Sequence, residues 1–350
     1  MDDQHAYAVT PDGPDHGRAR SRDAGRCADA RTDDRTRHPD RPRPLTPLLA
    51  PALAFALAIA LPGAAAARQH GGQWFPAHGR FTPFLADPHE IRLAAGLAWT
   101  DLFDPHKVPA ERPPLRFNDP GDMAHDLQGL VALGGTLPLW GSSADAGRGL
   151  VVSLQAGVFA RFRLEEPSRD YTASDWVVAL PVTWTDGPVA VRARVLHRSA
   201  HLGDEVILDT GARRIEYAHE AFDIAVAYRV RPSTRIYGGS TWIFRSLTEA
   251  EPLLRARYPD LDDDAALQLG FDGEWPLRAD GRISALAGLD LQSAGRTGWR
   301  TQLSAVAGLG ARGPGGGLRL LLRFFDGTST LGEFFLTDES YWMIEAVVTR

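Results

Sequence analysis

Apolar and polar residues alternate along most of the chain from Ile91 onward, and no apolar stripe of helical period reaches helical length. Between Leu150 and Leu164 one parity carries Leu150, Val152, Leu154, Ala156, Val158, Ala160, Phe162 and Leu164. The other carries Ser153, Gln155, Arg161 and Arg163. In the segment 265–277, Leu267, Leu269, Phe271 and Trp275 oppose Gln268, Asp272 and Glu274. Segments 283–292 and 318–325 repeat the pattern, with Asp290, Arg319 and Arg323 among the polar set. Period-two alternation is the signature of strands with two unlike faces. The predicted strands are 91–100, 126–139, 150–164, 173–185, 188–199, 213–230, 234–245, 264–277, 282–292, 299–311, 317–325 and 340–350. Ile215 and Tyr217 have the opposite parity to Ile224, Val226, Tyr228 and Val230, which predicts a β-bulge near 219–223.

Three features separate a closed transmembrane barrel from a soluble sandwich. The polar parity holds Arg161, Arg163, Arg192, Arg194, Arg235, Arg319, Arg323, Asp272, Glu274, Asp290 and Glu345 in strand interiors, which suits a polar lumen. The apolar parity carries aromatic residues near strand ends: Trp176, Trp184, Trp275, Trp299 and Trp342. Trp176 and Trp184 lie eight residues apart on one strand, and at ~3.3 Å per residue and ~40° tilt they span roughly 20 Å, the height of an apolar band between aromatic girdles. Connections also alternate in length. Those at 185–188, 231–234, 279–282 and 313–317 are short, and those at 200–212, 245–263, 292–298 and 326–338 are long. Short periplasmic turns and long outer loops are expected of an outer-membrane barrel. The expected fold is therefore all-β, a closed antiparallel barrel of about twelve strands over 91–350. Arg350 stands where barrel-assembly signals favour an aromatic residue.

The beginning of the chain reads as targeting. Residues 1–43 contain nine Arg and nine Asp with few large apolar residues, as a disordered leader or a misassigned start would. Residues 44–67 carry no charge. The apolar run Leu48 to Leu61 is followed by Pro62, Gly63 and a small-residue stretch ending at Ala67. This is a signal-peptide pattern with cleavage expected before Arg68, a membrane anchor being the alternative. Residues 68–90 would form a periplasmic lead-in, which could also enter the lumen as a plug. The only cysteine, Cys27, lies in the leader, so no disulfide framework or Cys-based zinc site is available.

Composition then fits the same picture. Of 350 residues 44% are hydrophobic, with a net charge of -6. No positive charge balance exists to neutralise nucleic-acid phosphates. The mean hydropathy of -0.22 averages an apolar and a charged face, so it excludes a helical membrane protein and not a barrel.

Several phrases are similar to a bacterial outer-membrane family of unknown function, DUF1207. They are Phe81 to Glu90, Asp170 to Asp175, His197 to Glu205, and Asp326 to Ser329. The resemblance runs over about residues 75–350. The chain departs from the family at Thr330 and at Gly332-Glu333-Phe334. It implies an outer-membrane barrel and no activity.

The stretch 197–205 is the candidate site. His197 and Ser199 share a face of the fifth strand, where a His could activate a Ser hydroxyl if a third group orients the imidazole. The pair resembles the arrangement in outer-membrane phospholipase A, a barrel enzyme whose orienting group is an Asn on the adjacent strand. No Asn occurs here between 197 and 230, so Glu216 or Glu220 would have to serve. The bland alternative is a rim network in which His197, Ser199 and His201 cap the strand while Asp204 and Glu205 bind Arg213 or Arg214. A third reading takes His201, Asp204 and Glu205 as metal ligands. Asp262 to Asp264 read as a solvated loop. No cofactor is expected, calcium entering only with the hydrolase reading. The expected partners are outer-membrane lipids and the barrel-assembly machinery. The leading expectation is an envelope structural protein or narrow channel, with a lipid-acting serine hydrolase as the alternative.

Overall fold

The computed structural model describes residues 72–76, 81–102, 126–142, 148–165, 169–210, 214–215, 217–246 and 263–349. The leader, the signal pattern, Arg213, Glu216 and Asp262 lie outside these residues. The strands are β1 Gly72–Trp74, β2 Leu93–Thr100, β3 Asp126–Ser142, β4 Arg148–Arg163, β5 Tyr171–Asp186 and β6 Val189–Leu202. They continue as β7 Ala218–Arg231, β8 Thr234–Ser246, β9 Ala265–Pro276, β10 Ile283–Ala294, β11 Thr301–Gly313, β12 Gly316–Thr328 and β13 Asp338–Thr349. A helix, α1 Asp204–Thr210, follows β6.

Every neighbouring pair is antiparallel, and pairing of β3 with β4 and of β13 with β2 closes β2–β13 into a twelve-stranded ring. This is a closed antiparallel β-barrel of the outer-membrane type. No helix among the described residues is long and apolar enough to cross a membrane. Closure leaves no long free edge, so the backbone bonds of the wall are made strand to strand. One rim holds the short turns and the end of β13; the other holds the long connections.

The alternation sorts as read from the sequence. In β12, Leu318, Leu320 and Leu322 are about half exposed on the outside, while Leu321, Arg323 and Phe325 are buried inside. Trp176, Trp275, Trp299 and Trp342 are exposed outward and Trp184 is half-buried. Trp99, opposite Trp342 in register, adds to the ring at the long-loop rim.

The predicted bulge falls at 219–223 as expected, but its extra residue is on the partner strand and its cause is different. A register shift does fall between Glu220 and Ala221, but the extra residue is Phe244 on β8. β7 itself alternates without interruption from Ala218 to Val226. Ile215 and Tyr217 precede the strand and turn inward, packing on Phe335 and Leu336. Their apolar character reflects an interior contact rather than a change of face. Helix α1 was not anticipated. It is a short element held by buried Val206, with Asp204 and Glu205 in its first turn, where negative charge suits the helix dipole.

The interior is filled from both ends. Residues 81–92 run inside the barrel against β6, β8, β9, β10, β12 and β13; 81–90 belong to the expected lead-in, with a lumenal plug as its alternative, and 91–92 to the expected start of the first strand. Between β12 and β13, residues 329–337 fold inward over the long-loop end, and Leu331 and Phe334 join a cluster with Leu102, Ala173, Leu202 and Val206. Beside Arg92, Phe159 and Met343 lies a cavity of about 40 Å³.

Candidate functional site

Two arrangements of polar groups result, one in the lumen and one on the outward face of the long-loop rim. The lumenal one starts from inward parity. Arg192, Arg194 and Arg198 project inward from β6, Asp175 from β5, Asp223 from β7, and Arg323 and Glu345 from β12 and β13. A buried charge is expensive unless paired, and each of these has a partner. Arg192 Nη1 lies 2.5 Å from Glu90 Oε1 of the inner segment. Arg194 pairs with Asp223 at 2.8 Å. Arg323 bonds Glu345 at 3.0 Å and donates to the carbonyls of Ala86 and Leu85 at 2.6 and 3.3 Å. Arg235 donates to the carbonyls of Thr82 and Pro83 and to Asp272, which also accepts from the backbone N–H of Leu85. Gln268 and Gln292 each bridge Asp87 and Asp290. Phe84 stacks on Tyr237 with ring centroids 3.7 Å apart, and the Arg192 guanidinium lies 4.6 Å from the centroid of Phe81.

The inward loop closes the other end by the same means. Asp175 accepts from Arg198 and from the backbone N–H of Gly332, and Arg198 also donates to the carbonyl of Thr330 at 2.6 Å. Arg161 pairs with Glu339, which also accepts from Thr100. His89 meets Thr330 and Gln292 at the junction of segment and loop, and burial together with the Arg198 cation lowers its pKa to about 3. Glu333 accepts from the backbone N–H of Ile215 at 2.8 Å, and its burial raises its pKa against the opposing pull of Arg214.

Among the lumen charges named from the sequence, Arg163 pairs with Asp126, and Glu274 holds Arg319 and Arg312 near the short-turn rim. Asp87, Glu90, Arg92, Asp175, Arg198 and Asp223 were missed. Arg198 shares the parity of Arg192 and Arg194, so alternation could have found it; Asp87 and Glu90 sit in a segment with no periodicity.

The outward arrangement lies where β5, β6 and β7 meet. His197 pairs in register with Val178 and Glu220, and Ser199 with Trp176 and Ala218. His197 Nδ1 is 3.8 Å from Glu220 Oε1, and the His197 side chain is 45% exposed. Glu220 in turn accepts from Arg245 at 3.3 Å. No hydrogen bond joins His197 to Ser199 among the described residues. Among the described residues the carboxylate beside His197 is Glu220, which the register sets directly across from it; Glu216 lies outside those residues. Of the rim network expected at 201–214, Arg213 lies outside the described residues. Asp204 and Glu205 are exposed on α1, and Arg214 faces Glu333. Nor do His201, Asp204 and Glu205 converge, and no group of three His, Cys, Asp or Glu side chains suited to a metal occurs among the described residues.

Comparisons with known proteins add the following. No curated protein matches the chain. Among solved structures, the Salmonella typhi outer membrane phospholipase dimer with bound calcium is 12% identical, covering 77% of this chain and 94% of that one, with a TM-score of 0.48. Escherichia coli outer membrane phospholipase A is 11% identical, covering 77% and 99%, with a TM-score of 0.48. The KdgM porin in complex with disordered oligogalacturonate is 6% identical, covering 74% and 99%, with a TM-score of 0.38. The family model described as "Protein of unknown function (DUF1207)" matches residues 115–348, and the chain belongs to that family.

Proposed function

We infer that the protein is an integral outer-membrane barrel, exported with cleavage before Arg68, that stands closed at rest as an envelope protein. The observation that carries this is the division of its two faces. The outside is a belt of half-exposed Leu, Val and Ile between aromatic rings, and the inside is a paired network of arginines and carboxylates. Such a belt would be unfavourable in water and suits lipid. The partners of this reading are outer-membrane lipids and the machinery that assembles barrels. Cell fractionation with N-terminal sequencing of the mature chain tests it. The chain is expected in the outer membrane, starting at Arg68 and migrating differently on gels with and without heating. Recovery in a soluble fraction would end this reading.

A second reading, a lipid-acting serine hydrolase, is favoured by the His197–Glu220 contact. Ser199 would be the nucleophile, His197 the base and Glu220 the orienting group, at the height where lipid ester groups meet the rim. Calcium would enter only here, to stabilise developing oxyanion charge. The purified chain and its Ser199→Ala variant are assayed against phospholipid in mixed micelles with calcium. A rate lost in the variant supports the hydrolase, and equal background rates in both remove it.

A further inference from the structure

The lumenal segment is an insertion of defined length. Trp74 of β1 stands opposite Trp140, and Leu93 of β2 stands opposite Leu133 of the same strand β3. Nineteen steps of chain from 74 to 93 therefore cover seven steps of β3 from 140 to 133, an excess of twelve. Residues 81–92 number twelve, and among the described residues of this connection they are the ones bonded to the inner wall. β1 and β2 are two halves of one wall strand, with the lumenal segment looped out between them. The excess equals the length of that segment.

The segment is held chiefly through its oxygen atoms. Arg192 on β6, Arg235 on β8 and Arg323 on β12 receive a carboxylate, two carbonyls and two carbonyls from it. If the segment withdraws, most facing charges keep wall partners. Asp272 keeps Arg235, Glu345 keeps Arg323, and Asp290 keeps Tyr237, Gln268 and Gln292. Asp223 keeps Arg194 at 2.8 Å and stands 3.8 Å from Arg192. Asp87, Glu90 and Arg92 leave with the segment. Arg192 is then the cation without a carboxylate of its own. It is 2% exposed, and even with the segment in place its Nε and Nη2 have no hydrogen-bond partner. A guanidinium so placed takes the oxygens of an anion in a planar fork.

We propose that residues 81–92 are a displaceable plug, and that the passage they close selects small anions, carboxylate or inorganic, at Arg192. This rests on the reading of the protein as a closed outer-membrane barrel. The full chain and a variant lacking 81–92 are purified in detergent, checked for heat-modifiable migration, and recorded in planar bilayers across a KCl gradient. The full chain is expected to be silent. The deletion variant is expected to conduct with its reversal potential on the chloride side, and adding Arg192→Gln should move that potential toward zero. A folded deletion variant that is silent or favours potassium overturns the proposal and leaves the barrel reading intact. Absence of heat-modifiability in both proteins overturns the two together.

If the deletion variant alone fails to fold, a tethered variant decides. A β-carbon on Gly288 of β10 would stand 3.2 Å from that of Ala86, close to the ~3.5–4.5 Å that a disulfide spans. In a Cys27→Ser background, Ala86→Cys with Gly288→Cys ties the plug to the wall. Chloride current in moderate urea that appears on reduction and disappears on oxidation supports the proposal. Equal currents in the two states overturn it.

Discussion

Arg192 and Glu90, 102 positions apart in the chain, form an ion pair of 2.5 Å in which neither side chain is more than 2% exposed. The pair joins the wall to the segment inside it. Truncating one member leaves the other charge buried, which costs about 3–5 kcal/mol, whereas replacing both with apolar side chains costs far less. Glu90→Ala is expected to destabilise the detergent-folded barrel by that order, read as a lower urea midpoint. Arg192→Leu combined with Glu90→Ala should recover much of the loss. A single variant as stable as the parent would mean that the pair does not hold the segment.

His89 gives docking of the same segment a pH dependence. Its pKa is lowered to about 3, first by burial and then by the Arg198 cation, with Asp175 and bonds to Gln292 and Thr330 opposing. The folded state therefore holds the neutral imidazole, while the unfolded chain binds a proton near pH 6.5. Stability from this group is complete above pH 6.5 and is lost progressively as pH falls toward 3. Unfolding midpoints between pH 7 and 4 should fall less steeply in His89→Gln than in the parent. Parallel curves for the two proteins would remove His89 as the cause.

How far such relations could be read in advance depends on their range. Facing along β9, β10 and β12 was legible because one residue type per parity carries the information, so Leu269, Asp290 and Arg323 fall where alternation puts them. Arg198 obeys the same rule, sharing the inward parity of Arg192 and Arg194. The segment 81–92 was illegible in detail because its order comes from the wall: Asp87 is fixed by Gln268 and Gln292, and Leu85 by Asp272 and Arg323. Glu220 could be matched to His197 only once the connection 203–217 was known to contain a helix and two inward residues rather than strand. Ile215 and Tyr217 misled because apolar residues also face this lumen, wherever the inward loop brings Phe335 and Leu336 against the wall.

The junction after β6 depends on a missing side chain. A β-carbon on Gly203 would lie 1.8 Å from the carbonyl oxygen of Tyr171, and the Gly203 N–H bonds the carbonyl of Thr172 at 2.9 Å. Backbone packed on backbone has no rotamer with which to yield, so Gly203→Ala should cost about 1–3 kcal/mol as overpacking. Gly135, whose β-carbon would meet nothing within 4 Å, is the matched control. Equal unfolding midpoints for Gly203→Ala and Gly135→Ala would contradict the close approach.

Depth along the outer face separates a lipid-facing barrel from one in water. Leu318 and Leu322 lie on the same outward row of β12, each about half exposed. Leu318 pairs with Ala311 and Val348 near the short-turn rim, whereas Leu322 pairs with Ala307 and Ile344 toward the middle of the wall. In a bilayer an arginine on the lipid face costs about 2–4 kcal/mol at the midplane and about 0–1 near an interface. Leu322→Arg should therefore destabilise the barrel in lipid vesicles several kcal/mol more than Leu318→Arg, because only the latter can carry its guanidinium to the headgroups. In water both substitutions would relieve exposed apolar surface and cost little. Reversible unfolding of the two variants in vesicles measures the difference. Equal and small costs would place this row of leucines outside the hydrocarbon and remove the main support for a membrane-spanning wall.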